Sequence, residues 1–464
     1  MKYLIAFLFP IYLASQTEDI NLNTVFFKDK YLKEVIPVIN SKDEMTLFFQ
    51  FRDNASVYSY NKDYSISNAS YDFELPKKAT NHVASLYNDT SITLIYSNSS
   101  GKYFGAITYD RKTNKIETKK AKKWNFKGAS VVGYGNDNNK FYLITAIKNS
   151  SIIKIYTLDS NLKQESHTID LSAVEITGDQ RWTYSFHNTL FNLDIKEAPQ
   201  VIEYNIPNSL ETTAADRKIF FSKDFKTIYI TNDFFKSKTI VCKISTETFK
   251  GELRTIEHDD FSKDKSIIRT SSFIIDNYIC SLYWVRDYVN LKIRDLNSFK
   301  VINEFEIKKD EPIAFRNSPI IEKNSASKNV RELKTTNQFL RKTIYNQPTL
   351  TIFKTDDIYN LTLGYTIIED LNPILFVHFG IVGGFLLQSL INYVDTNSVQ
   401  FTGLFDANFN HVKGEVIENS YDKIETFKKT LKRTKNEFLV KNNDTYYFGN
   451  YNKDLQTYSV YSFK

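Results

Sequence analysis

Apolar and polar positions alternate along this chain in short runs, and the runs come in groups. The grouping is clearest in Lys218–Ile256. There Ile219–Ser222, Thr227–Thr231, Thr239–Ser245 and Gly251–Ile256 each read as a strand, separated at two points by the polar turns Lys223–Lys226 and Thr246–Phe249. Pairs of such runs recur ahead of turns rich in Asp and Asn. Met45–Phe51 and Ser56–Tyr60 precede Asn61–Asp63; Ile92–Ser97 and Phe104–Tyr109 precede Asp110–Asn114. Phe141–Ile147 and Ile152–Leu158 precede Asp159–Asn161, Tyr278–Trp284 and Val289–Ile293 precede Asp295–Ser298, and Gln400–Phe405 precedes Asp406–Asn408. The alternation predicts strands, not helices, in a unit that returns at steps of roughly fifty residues.

A repeat of that size and strand content implies an all-β chain built as a β-propeller, with seven or eight blades. The count stays open because Glu175–Ile206 is short and irregular. The chain ends on Thr457–Phe463, the third strand of an unfinished blade, and Leu22–Phe27 is expected to supply its outer strand. That joins the N- and C-terminal strands and removes an open sheet edge. Residues 309–345 break the rhythm: Val330, Leu333 and Asn337 stand at helical spacing, which predicts a short helix over an insert, with an interdomain linker as the rival reading. Residues 16–464 are otherwise read as one domain.

The run FFSKDFKTIYITN at 220–232 resembles the repeat of TolB-like, WD-related propellers, in which an apolar-Ser-x-Asp-x-Lys turn joins the first two strands of a blade. Phe225 stands where that turn usually has Gly. The resemblance covers one blade; it implies the architecture and carries no activity with it.

Composition changes this picture little. Phe 36 and Tyr 30 suit pleated surfaces, and Gly 14 and Pro 9 are so few that turns must rely on Asn and Asp, whose side chains bond neighbouring backbone. The formal charge of +6 is too modest to indicate nucleic acid. Cys242 and Cys280 cannot staple a chain of this size and read as two buried thiols. Met1–Ser15 has Lys2, an apolar run to Leu13 and small residues before Gln16, the pattern of a secretory signal peptide. An exported protein, periplasmic or extracellular, is expected.

One segment departs from the rhythm. From Thr355 to Val412 there is no Lys or Arg, and Leu371–Val394 carries no formal charge. Its length suits a membrane span, but its flanks, Glu369, Asp370 and Asp395, are acidic, and strands precede and follow it. Gly383-Gly384 reads as a hairpin turn, so residues 368–398 are expected to be an insertion between the second and third strands of a late blade, leaving the ring opposite the Asp/Asn turns. Phe376, Phe379, Ile381, Phe385, Leu386 and Leu387 then need cover. Their own ring, a partner protein of the cell envelope and a membrane surface are the three candidates.

Candidate chemistry is sparse. The six His residues show no zinc spacing, and no P-loop, nucleophile elbow or dinucleotide fingerprint occurs. His258-Asp259-Asp260 with Asp264, and Gly133-Tyr134-Gly135-Asn136-Asp137, are weak oxygen-ligand loops, and Ser99-Ser100-Gly101-Lys102 reads as a turn. No metal or cofactor is expected. Lys119, Lys120, Lys122, Lys123 and Lys127 surround Trp124 and offer a polyanion patch with a stacking face; the rival reading is an outer strand whose lysines guard a sheet edge. A second basic run spans Lys428 to Lys435. The leading expectation is a non-enzymatic binding or scaffold propeller contacting a partner or membrane through 371–394. The alternative is a propeller hydrolase or lyase acting on extracellular glycan or peptide from its central channel.

Overall fold

Strand follows strand almost without interruption. The computed structural model describes residues 18–20, 32–191, 199–258, 269–324, 329–343, 346–366 and 397–464. Among these residues there are seven sheets of four or five strands and one two-stranded hairpin. The first sheet is Glu34–Ile39, Met45–Gln50, Asn54–Tyr60 and Ile66–Glu74, an antiparallel meander in chain order. The second (Asn81–Tyr87 to Lys115–Lys123), third (Ala129–Asn136 to Gln164–Asp170) and fifth (Arg269–Ile275 to Val301–Lys308) repeat that plan. Burial follows the order of strands. In the first sheet the opening three strands are buried along nearly their whole length, whereas Ile66–Glu74 alternates between exposed and half-buried.

The fourth sheet has the predicted meander, Arg217–Phe221, Thr227–Asn232, Lys238–Ser245 and Gly251–Glu257, plus one strand more. Gln200–Ile202 lies parallel to Arg217–Phe221, with Val201 opposite Ile219. The irregular stretch 175–206 is therefore no failed repeat. Its first part is the small hairpin Ile176–Thr177 and Thr183–Tyr184, and its last part joins the neighbouring sheet.

Residues 309–345 correct the sequence reading. Asn329–Leu333 is a strand, not the start of a helix; it pairs with Ile320–Asn324, which in turn pairs with Ser398–Phe405. The hairpin thus supplies the outer strands of the sixth sheet, whose other strands, Gln347–Thr355, Ile358–Thr366 and Ser398–Phe405, come later in the chain. The predicted helix exists only further on, at Thr336–Thr343. Val330 is 65% exposed and Leu333 is buried, the alternation of an edge strand. Val330 and Leu333, at helical spacing, went to a partner strand that local pattern does not reveal, while Asn337 does lie in the helix.

The seventh sheet joins the two ends of the chain. Thr434–Asn442, Thr445–Asn452 and Thr457–Phe463 are completed by Glu18–Ile20, with Glu18 opposite Ser462. An N-terminal strand does finish the last sheet, but it is 18–20; Leu22–Phe27 and the segment Met1–Ser15 lie outside the described residues.

Apolar clusters run from sheet to sheet. Ile36, Val38 and Phe48 of the first meet Ile92, Leu94 and Tyr96 of the second; Phe104 and Trp124 of the second meet Phe141 and Leu143 of the third. Val35, Leu47 and Phe49 of the first meet Phe438, Tyr458 and Val460 of the seventh. The two faces of each first strand therefore serve two different neighbours, which strand alternation provides for.

Turns obey one rule. In six sheets the turn into the last strand in chain order opens on Asn, Asp or Ser, and a later residue has positive φ: Tyr64, Asn114, Leu162, Phe249, Phe299 and Gln456; in the sixth the same turn, with Phe409, follows Ser398–Phe405. The first residue caps amides, as Asp406 does for Asn408 N at 2.9 Å and Asn410 N at 2.8 Å. The bulky residues cover neighbours: Phe409 is fully buried and stacks on Tyr359 at 4.5 Å.

A candidate ligand mouth at the strand ends

Two adjoining cavities of about 570 and 890 Å³ share Ile202, Glu203, Tyr204, Phe221, Lys223 and Asp224. The smaller is lined by the C-terminal ends of first strands: Pro37–Ile39, Val83–Tyr87, Tyr134–Asn136 and Val440–Asn442. The larger adds Phe273–Asn277, Tyr278, Tyr359 and Ala407 from the fifth and sixth sheets. Between them the two cavities touch all seven sheets, at the end where first strands turn into second ones.

The segment after Gln200–Ile202 sits among these strand ends and holds them. Asn205 Oδ1 accepts the Lys354 amide at 2.6 Å, and its carbonyl accepts Lys441 Nζ at 2.9 Å. Tyr204 donates its hydroxyl to Asp276, and Tyr359 donates to the same carboxylate at 2.5 Å. Ile206 buries itself against Tyr421, Leu439 and Tyr446. Ser209 then caps the short helix Leu210–Thr213. This stretch reads as loop in sequence because its partners lie on three other sheets.

Four carboxylates line the mouth, and three are committed to structure. Asp137 accepts the amides of Asn139 and Lys140 at 2.6 and 2.7 Å. Asp224 accepts Ser222 Oγ at 2.7 Å and the Lys226 amide at 3.1 Å, bonds that hold its carboxyl below the usual range. Asp276 is held by the two tyrosines. Glu203 differs. Its backbone is fixed by Asn208 at 3.1 and 2.8 Å, but desolvation by enclosing protein pushes its carboxyl up to about 7. The residue keeps some solvent contact, since its cavity is open, yet protein surrounds the carboxyl on most sides. Lys441 has its ammonium pushed down by burial.

Tyrosines line the mouth around these groups: Tyr87, Tyr134, Tyr204, Tyr278 and Tyr359. Gly135 lets the fourth sheet approach; a Cβ there would stand 2.5 Å from the Phe221 ring. The run Gly133–Asp137 is thus the end of a first strand and its turn, not an oxygen-ligand loop, although Asn136 and Asp137 do reach the mouth.

The other predicted residues fall elsewhere. Lys119, Lys120, Lys122 and Lys123 lie on the outer strand of the second sheet, with Lys127 in the next turn. Trp124 is only 6% exposed and packs on Phe104 at 4.3 Å, so it presents no stacking face to a polyanion. Among the described residues none of these five lysines forms an ion pair, whereas the second basic run is matched by Lys428–Glu437, Lys429–Glu425 and Arg433–Asp454 at 2.7–3.0 Å. His258 bonds Thr239 Oγ1 at 3.1 Å, and its Asp companions lie outside the described residues. Cys242 and Cys280 are free and buried. Phe376, Phe379, Ile381, Phe385, Leu386 and Leu387 also lie outside the described residues, but their anchors are described. Thr366 and Ser398 are cross-strand partners, so the chain leaves and returns at one point of the sixth sheet. No described helix is long and apolar enough to cross a membrane.

No family model matches the chain, and no curated protein matches its sequence. Among solved structures it is similar to AztD from Citrobacter koseri, at 11% identity and a TM-score of 0.27, over 58% of each chain. The chain therefore spans 58% of the length of AztD. It is similar also to the Dos1 propeller, at 9% identity and a TM-score of 0.31, over 84% of this chain and 71% of that one. Prolyl oligopeptidase B from Galerina marginata matches at 8% identity and a TM-score of 0.36, over 90% of this chain and 47% of that one. Likeness at this level assigns no family; the architecture rests on the sheets described above.

Proposed function

We propose that this protein is an exported, non-enzymatic binding propeller. Its seven four- or five-stranded sheets are the blades of one ring, closed where Glu18–Ile20 completes the last blade, and a hydroxyl-rich oligosaccharide is taken at the mouth. The carrying observation is the mouth itself. Tyrosine rings suit sugar rings, while Asn136 and Glu203 offer polar partners for hydroxyl groups. Support for a ring comes from the core shared by the first and seventh sheets.

Binding is favoured over hydrolysis by the bookkeeping of carboxylates. Glycoside cleavage ordinarily needs two carboxyl groups in separate roles. Here Asp137, Asp224 and Asp276 are tied to turns and tyrosines, which leaves Glu203 without a second reactive carboxylate. One observation favours the hydrolase or lyase reading: a carboxyl pushed up to about 7 can act as a general acid at neutral pH.

The apolar segment 371–394 is proposed as the tether to a membrane surface or an envelope partner. It leaves the sixth sheet at Thr366, seven residues along the strand from Tyr359 at the mouth, or about 20 Å. A tether there leaves the mouth free.

Calorimetric titration with cellotetraose, chitotetraose and laminaritetraose tests the mouth. We expect at least one to bind, with affinity lowered tenfold or more by Tyr204→Ala and by Glu203→Gln. No binding of any of the three overturns the carbohydrate reading. New reducing ends released by the parent chain, and lost in Glu203→Gln, make the protein a hydrolase.

A further inference from the structure

A second polar site lies between the first and second sheets, at the end of the strands away from the mouth. Glu34 and Gln50 are cross-strand neighbours on the first sheet, on the same face as Ile36 and Phe48, which meets the second sheet. His82 and Tyr96 are cross-strand neighbours on the second, their rings 5.8 Å apart. Gln50 Nε2 reaches across to the Thr80 carbonyl at 2.8 Å, and Tyr96 packs in one cluster with Ile36 and Phe48. All four side chains therefore meet in one wedge.

Each of them holds a buried polar atom with no hydrogen-bond partner among the described residues: Glu34 Oε1, Gln50 Oε1, His82 Nδ1 and Tyr96 Oη. Buried polar groups are normally satisfied, so four orphans at one interface between two sheets point to an occupant. Their chemistry says which kind. Gln50 spends its donors on Thr80, and its Oε1 can only accept. His82 bonds Ser85 Oγ through Nε2 at 3.0 Å; with the proton there, Nδ1 offers a lone pair. Glu34 brings its carboxyl group to the rim, and Lys33 Nζ turns to Asn81 Oδ1 at 3.2 Å. The wedge offers a carboxyl oxygen, an amide oxygen, an imidazole nitrogen and a phenol oxygen. Glu34 keeps part of its surface at the rim, which provides an entrance.

We propose that this wedge binds one small metal cation through Glu34 Oε1, Gln50 Oε1, His82 Nδ1 and Tyr96 Oη. Three oxygens and one imidazole nitrogen suit a hard or borderline ion. Spacing in the sequence hides the set, because it mixes two common metal ligands with an amide and a phenol. The site is independent of the mouth and of any ligand there.

The test strips the full chain with EDTA and returns Na⁺, K⁺, Mg²⁺, Ca²⁺, Mn²⁺ or Zn²⁺ singly at constant ionic strength. Bound metal after gel filtration and thermal melting are the readouts. We expect one of these ions to bind at about one per chain and to raise the melting temperature by about 3 °C at a hundredfold excess over its Kd. Glu34→Gln abolishes both effects; Tyr96→Phe, which keeps the ring and its packing, weakens binding tenfold or more and serves if the first variant does not fold. Failure of every ion to bind, or binding that survives both substitutions, overturns the proposal.

Discussion

Asp233 is the most heavily engaged buried residue in the fourth sheet. Its carboxylate accepts Lys218 Nζ at 3.1 Å, Ser272 N and Oγ at 2.8 Å and Thr239 Oγ1 at 2.7 Å, and both Lys218 and Asp233 are sealed from solvent. Lys218 also reaches Ser271 at 3.3 Å, so the pair fastens the fourth sheet to the fifth. Removing one charge strands the other in a low-dielectric interior. Asp233→Asn is therefore expected to cost about 3–5 kcal/mol in urea unfolding, while Lys218→Met with Asp233→Leu recovers much of that loss. Glu203 gives a pH signature of opposite character. Its folded value near 7 lies above the ordinary 4.5, so between those limits the folded chain holds a proton that the unfolded chain has released. Its contribution to stability falls as pH rises through that window and is level above it. Glu203→Gln is expected to reduce the slope of the stability profile between pH 4.5 and 7, with the share of Glu34, also pushed up to about 7 by burial, remaining; urea midpoints across that range measure it.

At the scale of elements, the aromatic residues with positive φ set two costs against each other. Phe409 has φ 58° and forfeits about 1–2 kcal/mol to backbone strain, but its ring is fully buried against Tyr359 and Tyr278. Packing wins at this site. Phe409→Gly is expected to destabilise by about 2–3 kcal/mol despite relieving the strain, and chemical unfolding measures the net. The strand Glu18–Ile20 does a different task. It covers Thr457–Phe463, whose other side already pairs with Thr445–Asn452. A chain beginning at residue 21 leaves that edge open, and light scattering at fixed concentration should report self-association absent from the parent.

For the molecule as a whole, the relation between the two ends of the sixth sheet matters most. Since Thr366 and Ser398 are partners, replacing 371–394 by a short Asn-Gly turn leaves the ladder between the two strands intact. We expect the deleted chain to fold with its cooperative unfolding preserved, and we expect the parent, but not the deleted chain, in the membrane fraction. Retention in that fraction overturns the tether.

The sequence by itself determined the local elements. Alternation marks a strand wherever one face is buried, and the Asp and Asn turns appear in sequence because their side chains bond backbone two to four residues away. The meander at 217–257 was legible almost to the residue for this reason. Only the tertiary structure decided the strands whose partners are distant. Ile320–Asn324 pairs with a strand that follows it by more than seventy residues, and Gln200–Ile202 joins its sheet in parallel, with no hairpin to announce it. The mouth was illegible on the same ground. Glu203 acquires its raised carboxyl from enclosure by several sheets, and Asp137, Asp224 and Asp276 lose their availability to partners that folding supplies. Local bonding is written along the chain; desolvation and long-range pairing exist only once the sheets have met.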